Sequence, residues 1–356
     1  MRKMMFCIMI MFITCITEVF CMDIGWNLGN TFDAWNNEKS GETVWGNPRT
    51  TKALIDAVKE AGFTSVRIPV TWMGQFGKGP EYKIKQSWLD RIAEVVGWVR
   101  DAGMTCIINI HHDGSDSKHW LDINKAAASA EGKKEVEEIY IALWLQIATY
   151  FKDYGDFLMF EPFNELHDGS WGNGRPALYA IVNDLNQIFV DTVRATGGNN
   201  TKRYLLAIGY VTRPSLTMQY LKLPKDQTPG RTIVSVHCYD PYNFAIQDQI
   251  HVWGTQAEAD YFTRLVAELK STYIDKGIPV FVDEYGAVKR KDPANEKYRI
   301  NYMKFVTKIF RDAGIVPYYW DNGSTSSANE PFAIFDRRRA ALSANGKLVV
   351  DAMMGR

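Results

Sequence analysis

The sequence predicts an α/β fold, a single (β/α)8 TIM barrel, on three observations. Eight short apolar runs alternate with helix-period segments from one end of the chain to the other. These runs end in polar and charged residues, whereas their opening residues are mostly apolar. No Gly-x-Gly-x-x-Gly follows any of them, which removes the signature of a dinucleotide-binding sheet. A chain of 356 residues is long for an ordinary domain but suits one such barrel.

In order, the strand candidates are 24–28, 65–70, 106–111, 157–163, 203–209, 232–238, 279–283 and 316–320. Amphipathic segments at 50–62, 87–103, 135–155, 175–197, 258–277 and 295–314 lie between them. Gly62, Gly103, Gly197, Gly277 and Gly314 stand where helices close on a left-handed residue. The stretch 215–230 is the weakest helix. No Pro- or Ser-rich linker divides the chain, so one domain is expected over 23–356.

Residues 1–22 read as an N-terminal leader. Arg2 and Lys3 precede MMFCIMIMFITC, an apolar stretch short for a bilayer span but suited to a signal peptide. A secreted protein, extracellular or periplasmic and free of the membrane once mature, is expected, although no small-x-small cleavage pattern precedes Asp23. Cys7, Cys15 and Cys21 fall in the leader. Cys106 and Cys238 sit in apolar runs and are expected as buried free thiols.

Composition narrows the function. Lys plus Arg and Asp plus Glu are 41 each, and no basic run interleaved with aromatics occurs, so nucleic acid is not an expected partner. The hydrophobic share of 46% supports a large core, and 11 Trp and 17 Tyr offer flat faces of the kind sugars stack on.

In a barrel the working residues stand at the C-terminal ends of the strands. Those ends carry Asn27, Gly29 and Asn30; Arg67; His111, His112 and Asp113; Asn164 and Glu165; His237, Tyr239 and Asp240; Glu284 and Tyr285; and Trp320, Asp321 and Asn322. FLMFEPFNELHDG (157–169) and PVFVDEYGAV (279–288) share one design, an apolar run that ends in a glutamate. A carboxylate at the mouth of a buried strand is costly without partners or a task. Two of them suggest carboxylates meeting across one cavity, the minimum equipment for splitting a glycosidic bond. Arg67 and Tyr239 are the candidates to hold Glu284 ionised, and Glu165 should then have a raised pKa, chiefly from the Glu284 charge.

Eight segments in order carry a resemblance: GWNLGNTFDAW (25–35), ETVWGNP (42–48), VRIPVTW (66–72), INIHHDG (108–114), FEPFNELHDG (160–169), VSVHCYDPYNF (234–244), VDEYGAV (282–288) and YYWDNG (318–323). Together they resemble glycoside hydrolase family 5, the cellulase family, and within it the endoglucanase and xyloglucanase branch. The resemblance implies a cofactor-free, monomeric, retaining endo-β-1,4-glucanase acting on β-glucans, with Glu165 as general acid/base and Glu284 as nucleophile. It places Asn30, Arg67, His111 or His112, Asn164, His237, Tyr239 and Trp320 around the substrate. Leu166 departs from the Pro that many relatives carry there. Trp35, Trp45, Trp120 and Trp171 are candidates for outer sugar sites.

Three rival readings stand beside this one. A mannanase or xylanase would use the same two glutamates. The HHD triplet at 111–113 resembles a metal site of amidohydrolase type, but neighbouring strand residues face opposite ways, which argues against it. A non-catalytic glucan-binding barrel would be expected to have lost one of the two carboxylates.

Overall fold

The computed structural model describes residues 22–36, 39–114, 119–326 and 330–356. The expected leader lies outside them apart from Met22, and so do its three cysteines. Eight parallel strands close into one barrel in sequence order: β1 (Gly25–Leu28), β2 (Ser65–Ile68), β3 (Thr105–Asn109), β4 (Leu158–Glu161), β5 (Leu205–Ile208), β6 (Thr232–Cys238), β7 (Val280–Tyr285) and β8 (Val316–Asp321). β8 returns to β1 through Gly25 opposite Tyr318 and Asn27 opposite Trp320. All eight expected strands are present.

A helix follows each strand: α1 (Lys52–Ala61), α2 (Gln86–Asp101), α3 (Ala130–Tyr150), α4 (Pro176–Ala195), α5 (Pro214–Tyr220), α6 (Gln256–Thr272), α7 (Glu296–Asp312) and α8 (Ala344–Met354). The ends of α1 show why these segments stop where they do. The Thr51 hydroxyl accepts from the Leu54 N–H, and Gly62 closes the helix at φ 109°. The weak 215–230 stretch forms only the two turns of α5. α8 was not anticipated, because its short segment carries a glycine in its first turn. That glycine is what lets the helix dock: a Cβ on Gly346 would lie 1.9 Å from the Ile334 carbonyl oxygen.

Two packings fill the molecule. The larger core lies between the sheet and the helices. A separate apolar cluster that includes Ile107, Met159, Leu206, Ile233, Phe281, Val316 and Tyr318 plugs the lumen. Alternate strand residues share a face, so two positions further along the same inward face come Asn109, Glu161, Ser235, Asp283 and Trp320. The lumen is therefore oily at the bottom and polar at the top, and that polar layer carries the site. Arg203 marks the other end. Its buried guanidinium donates to the carbonyls of Phe151, Tyr154, Gly155 and Leu158, which accounts for an arginine at the foot of β5 without any chemistry. Cys106 and Cys238 are buried and free, as expected. Among the described residues no helix is long and apolar enough to cross a membrane.

The plug sets a strict demand at Gly25. A Cβ there would fall 2.0 Å from the Tyr318 ring, whose hydroxyl is tied to Ser65 Oγ at 2.9 Å. Gly25→Ala should therefore cost about 3 kcal/mol, at the upper end of overpacking penalties, read as a lower urea midpoint. In a Tyr318→Ala background, itself destabilised by the cavity it leaves, the same substitution at Gly25 should cost less. A variant as stable as the parent would show that the ring has room to move.

Candidate active site

Arg67 on β2 is the hub of the polar layer. It is fully buried and commits all five N–H groups. Nε and Nη2 form a fork on Glu161 at 2.6 and 2.7 Å. Nη1 reaches Glu284 Oε1 at 2.6 Å and Asn27 Oδ1 at 3.0 Å, and Nη2 also reaches Asn164 Oδ1 at 2.8 Å. Burial alone would lower its pKa, but Glu161, Asp283 and Glu284 raise it well above the ordinary value, so it stays charged.

Glu284 is held at both oxygens. Arg67 takes Oε1, and the Tyr239 hydroxyl donates to Oε2 at 2.9 Å, so both partners expected for it are in place. Glu165 lies opposite, at the edge of the cavity, with Oε1 2.5 Å from His237 Nδ1 and 3.4 Å from the Thr212 hydroxyl. One ligand-type atom from each of Glu165, His237 and Glu284 lies within 4.8 Å of the others. The two glutamates, 119 positions apart in sequence, thus face each other across one small gap.

The charge order differs from the expectation. Burial raises the Glu165 carboxyl, but the His237 imidazole beside it, with Arg67 beyond, holds it below the ordinary value. Burial would lower His237, but Glu284, Glu165 and Asp283 lift it well above the ordinary value. Burial and the Glu165 charge together push Glu284 up, against the pull of His237 and Arg67. The expectation counted two carboxylates and left out the base between them. These directions favour the proton on His237 over Glu165 in the free site.

The histidine pair also departs from the alternation argument. β3 ends at Asn109, so His111 and His112 are not strand neighbours, and their rings meet edge to face at 4.4 Å. His111 lies parallel to Trp320, 6° between planes and 5.9 Å between ring centres. Asn109 Oδ1 accepts from the Val70 N–H, so its Nδ2 faces His111 Nδ1 at 3.1 Å. The neutral His111 ring therefore carries its proton on Nε2, and burial keeps its pKa well below the ordinary value. Asp113 is structural. Its oxygens accept from Trp72 N at 2.8 Å and Trp120 Nε1 at 2.7 Å, and burial pushes its carboxyl up to about 6.

Among the described residues two groups have metal-ligand types close together: Asp33, His111 and His112, and the Glu165, His237 and Glu284 set. In the first, His111 Nδ1 faces the Asn109 NH2 and its other nitrogen is a donor. In the second, His237 Nδ1 is already turned to Glu165 Oε1 at 2.5 Å and Arg67 already pairs with Glu284. Neither donor set suits a resident metal.

The remaining expected residues divide between cavity and rim. Asn164 joins Arg67, whereas Asn30 sits in the turn after β1 at φ 54°, its N–H donating to Asp33 and its carbonyl accepting from Asn47. Of the four loop tryptophans, Trp45 (42% exposed) and Trp171 (58% exposed) present open faces. Trp45 leans on His112 and Trp171 on His167, so the two exposed rings stand beside different strand ends. Trp35 packs edge-on against His119 at 4.6 Å, and the Trp120 indole is spent on Asp113.

Three site residues were not anticipated, Asn109, Glu161 and Asp283, and Asn27 was placed at its strand end without a role. Period-two counting from Met159 or Ile107 would have found Glu161 and Asn109. Asp283 follows from Phe281 by the same count, whereas an inward Glu284 does not, because Val236 pairs with Val282 while His237 pairs with Glu284. One extra residue in β7 makes a bulge, and Asp283 and Glu284 both face the cavity.

A closed barrel with paired glutamates, a guanidinium and a stacked aromatic at its C-terminal mouth defines a glycoside hydrolase. The sequence profile of the cellulase family, glycosyl hydrolase family 5, matches residues 28–326. The chain belongs to this family, and it is a cellulase-type enzyme. It is 40% identical over 328 residues to an endoglucanase A of Ruminococcus albus, covering 89% of this chain and 86% of that one. Among solved structures, a broad-specificity endoglucanase from Bacteroides salanitronis aligns with TM-score 0.89 and 44% identity, covering 93% and 92% of the two chains. A family 5 xyloglucanase from Paenibacillus pabuli aligns with TM-score 0.88 and 37% identity, covering 95% and 99%.

Proposed function

We propose that the chain is a retaining endo-β-1,4-glucanase that cuts internal bonds of soluble β-glucans, xyloglucan and mixed-linkage glucan among them, by double displacement. The observation that carries this reading is the approach of Glu165 and Glu284 oxygens within 4.8 Å. Retaining glycosidases hold their carboxyls about 5–5.5 Å apart, and inverting ones about 6.5–9.5 Å to admit a water. Glu284, aimed by Arg67 and Tyr239, attacks the anomeric carbon. Glu165 protonates the leaving oxygen and then activates water. Arg67 takes up the amide oxygen of Asn164, so donation to the sugar 2-hydroxyl is left to its NH2. That contact tightens as the ring gains oxocarbenium character. Trp320 offers its face to the same sugar. Substrate breadth is supported by relatives described as a broad-specificity endoglucanase and a xyloglucanase.

The test is the configuration of the first product. Proton NMR of cello-oligosaccharide cleavage should show the β-anomer before mutarotation, and an α-anomer formed first would reject double displacement. A panel of carboxymethylcellulose, xyloglucan, mixed-linkage glucan, mannan and xylan would set the substrate. Faster release from mannan or xylan would move the assignment to that backbone. Export is proposed on the Arg2, Lys3 and apolar-run leader. N-terminal sequencing of protein recovered outside the cytoplasm tests it, and an intact Met1 there would contradict cleavage.

A further inference from the structure

The bulge in β7 buries a carboxylate that the two-glutamate scheme leaves without a task. Asp283 is fully buried, with Oδ1 3.1 Å from His237 Nε2 and Oδ2 3.7 Å from Arg67 Nε. These are ion-pair contacts, since neither oxygen accepts an aligned hydrogen bond among the described residues. Arg67 has already committed Nε to Glu161. The cation nearest Asp283 is therefore His237, and a buried carboxylate without a countercharge is strongly disfavoured.

On its other nitrogen His237 faces Glu165 Oε1 at 2.5 Å and Glu284 Oε2 at 3.5 Å. The groups around the ring are thus Asp283 and Glu284 from β7, Glu165 after β4, Arg67 from β2, Tyr239 after β6 and His111 after β3. Three carboxylates oppose one guanidinium, and His111 is neutral. Two of the three carboxylates change charge during the proposed reaction, whereas Asp283 has no part in bond making.

We propose that Asp283 is a positioning residue that keeps His237 an imidazolium, and that the proton on His237 Nδ1 is the one Glu165 delivers. This rests on the reading of Glu165 as the general acid. In glycosylation the proton passes from Nδ1 to Glu165 and on to the glycosidic oxygen as the C–O bond breaks. Glu284 meanwhile bonds to the anomeric carbon, and His237 is left neutral with its Nε2–H still toward Asp283. In deglycosylation Glu165 takes a proton from water while the water oxygen bonds to the anomeric carbon and the ester to Glu284 breaks. The proton then returns to Nδ1. The device resembles the aspartate that orients the histidine of a serine protease, with a carboxylic acid as the final donor.

The test is Asp283→Asn, assayed as kcat/KM against pH on aryl β-cellobiosides. Loss of a neighbouring opposite charge should move the alkaline limb to lower pH by about one unit or more. At fixed neutral pH, a substrate with a poor leaving group, which needs the proton, should slow at least tenfold more than a dinitrophenyl glycoside, which does not. An unmoved alkaline limb, or equal slowing of both substrates, would overturn the proposal. A second measurement needs no variant. The chain has six histidines, so 15N-histidine labelling can follow His237 directly. A ring protonated on both nitrogens at neutral pH is expected, and a neutral ring there would overturn the proposal. If the reading of Glu165 and Glu284 failed instead, the first-formed product would have the α configuration, and the nitrogen shifts would be unaffected.

Discussion

Glu284→Gln is expected to lower reducing-sugar release from carboxymethylcellulose by on the order of 10⁴-fold, because it removes the attacking group outright. The fold should survive, since Arg67 keeps its fork on Glu161 and the lost charge leaves the crowded cluster less negative. A sharper test is Glu284→Ala with azide. The gap left by the carboxylate lies on the face from which attack occurs, so azide entering it should give an α-glycosyl azide from an activated aryl β-cellobioside. Glu165→Ala with azide should give the β product, because azide then meets the glycosyl-enzyme from the opposite side. If both variants gave products of one configuration, the division of labour between the two glutamates would be wrong.

The second large effect is at Arg67. Arg67→Met removes a buried cation that donates to Asn27, Glu161, Asn164 and Glu284 and faces Asp283. Breaking a buried charge cluster on one side costs about 3–5 kcal/mol, because the partners stay buried and unpaired. Urea unfolding should show that deficit at neutral pH. The sign of its pH dependence follows from the carboxylates. Burial already raises Glu161 above its ordinary value, and losing Arg67 raises it further. A carboxyl with a raised folded pKa favours the folded state as it takes up its proton, so the deficit should shrink as pH falls. A deficit equal at all pH values would indicate lost packing. Arg67→Lys separates charge from geometry: an ammonium has three donors in place of a five-donor fork, so it should restore more stability than activity.

The barrel was legible because each strand is an apolar run with a polar end, and β/α alternation leaves few alternatives. The glutamates were legible for the same reason, and so were Arg67 and Tyr239 as partners of Glu284. What escaped has local causes. The end of β3 at Asn109 released His111 and His112 from alternation, which no pattern in INIHHDG announces. Asn27 and Asn30 look alike in GWNLGN, yet only Asn27 lies on the inward face of β1 and reaches Arg67. The proton order was misjudged because a histidine 72 positions from Glu165 closes on it at 2.5 Å. α8 stayed hidden because Gly346 reads as a breaker and acts as a spacer against Ile334.

The bulge in β7 also limits which changes of chain length the site can tolerate. Up to Val282 the strand follows one parity, and past Asp283 it follows the opposite one. Deleting a single residue there would do more than trim the strand. It would restore regular pairing and swing either the carboxylate of Glu284 or that of its neighbour toward the helices. Chain length at this point is thus as strict a requirement as residue type, and deleting one residue at 283 should cost more activity than most substitutions nearby.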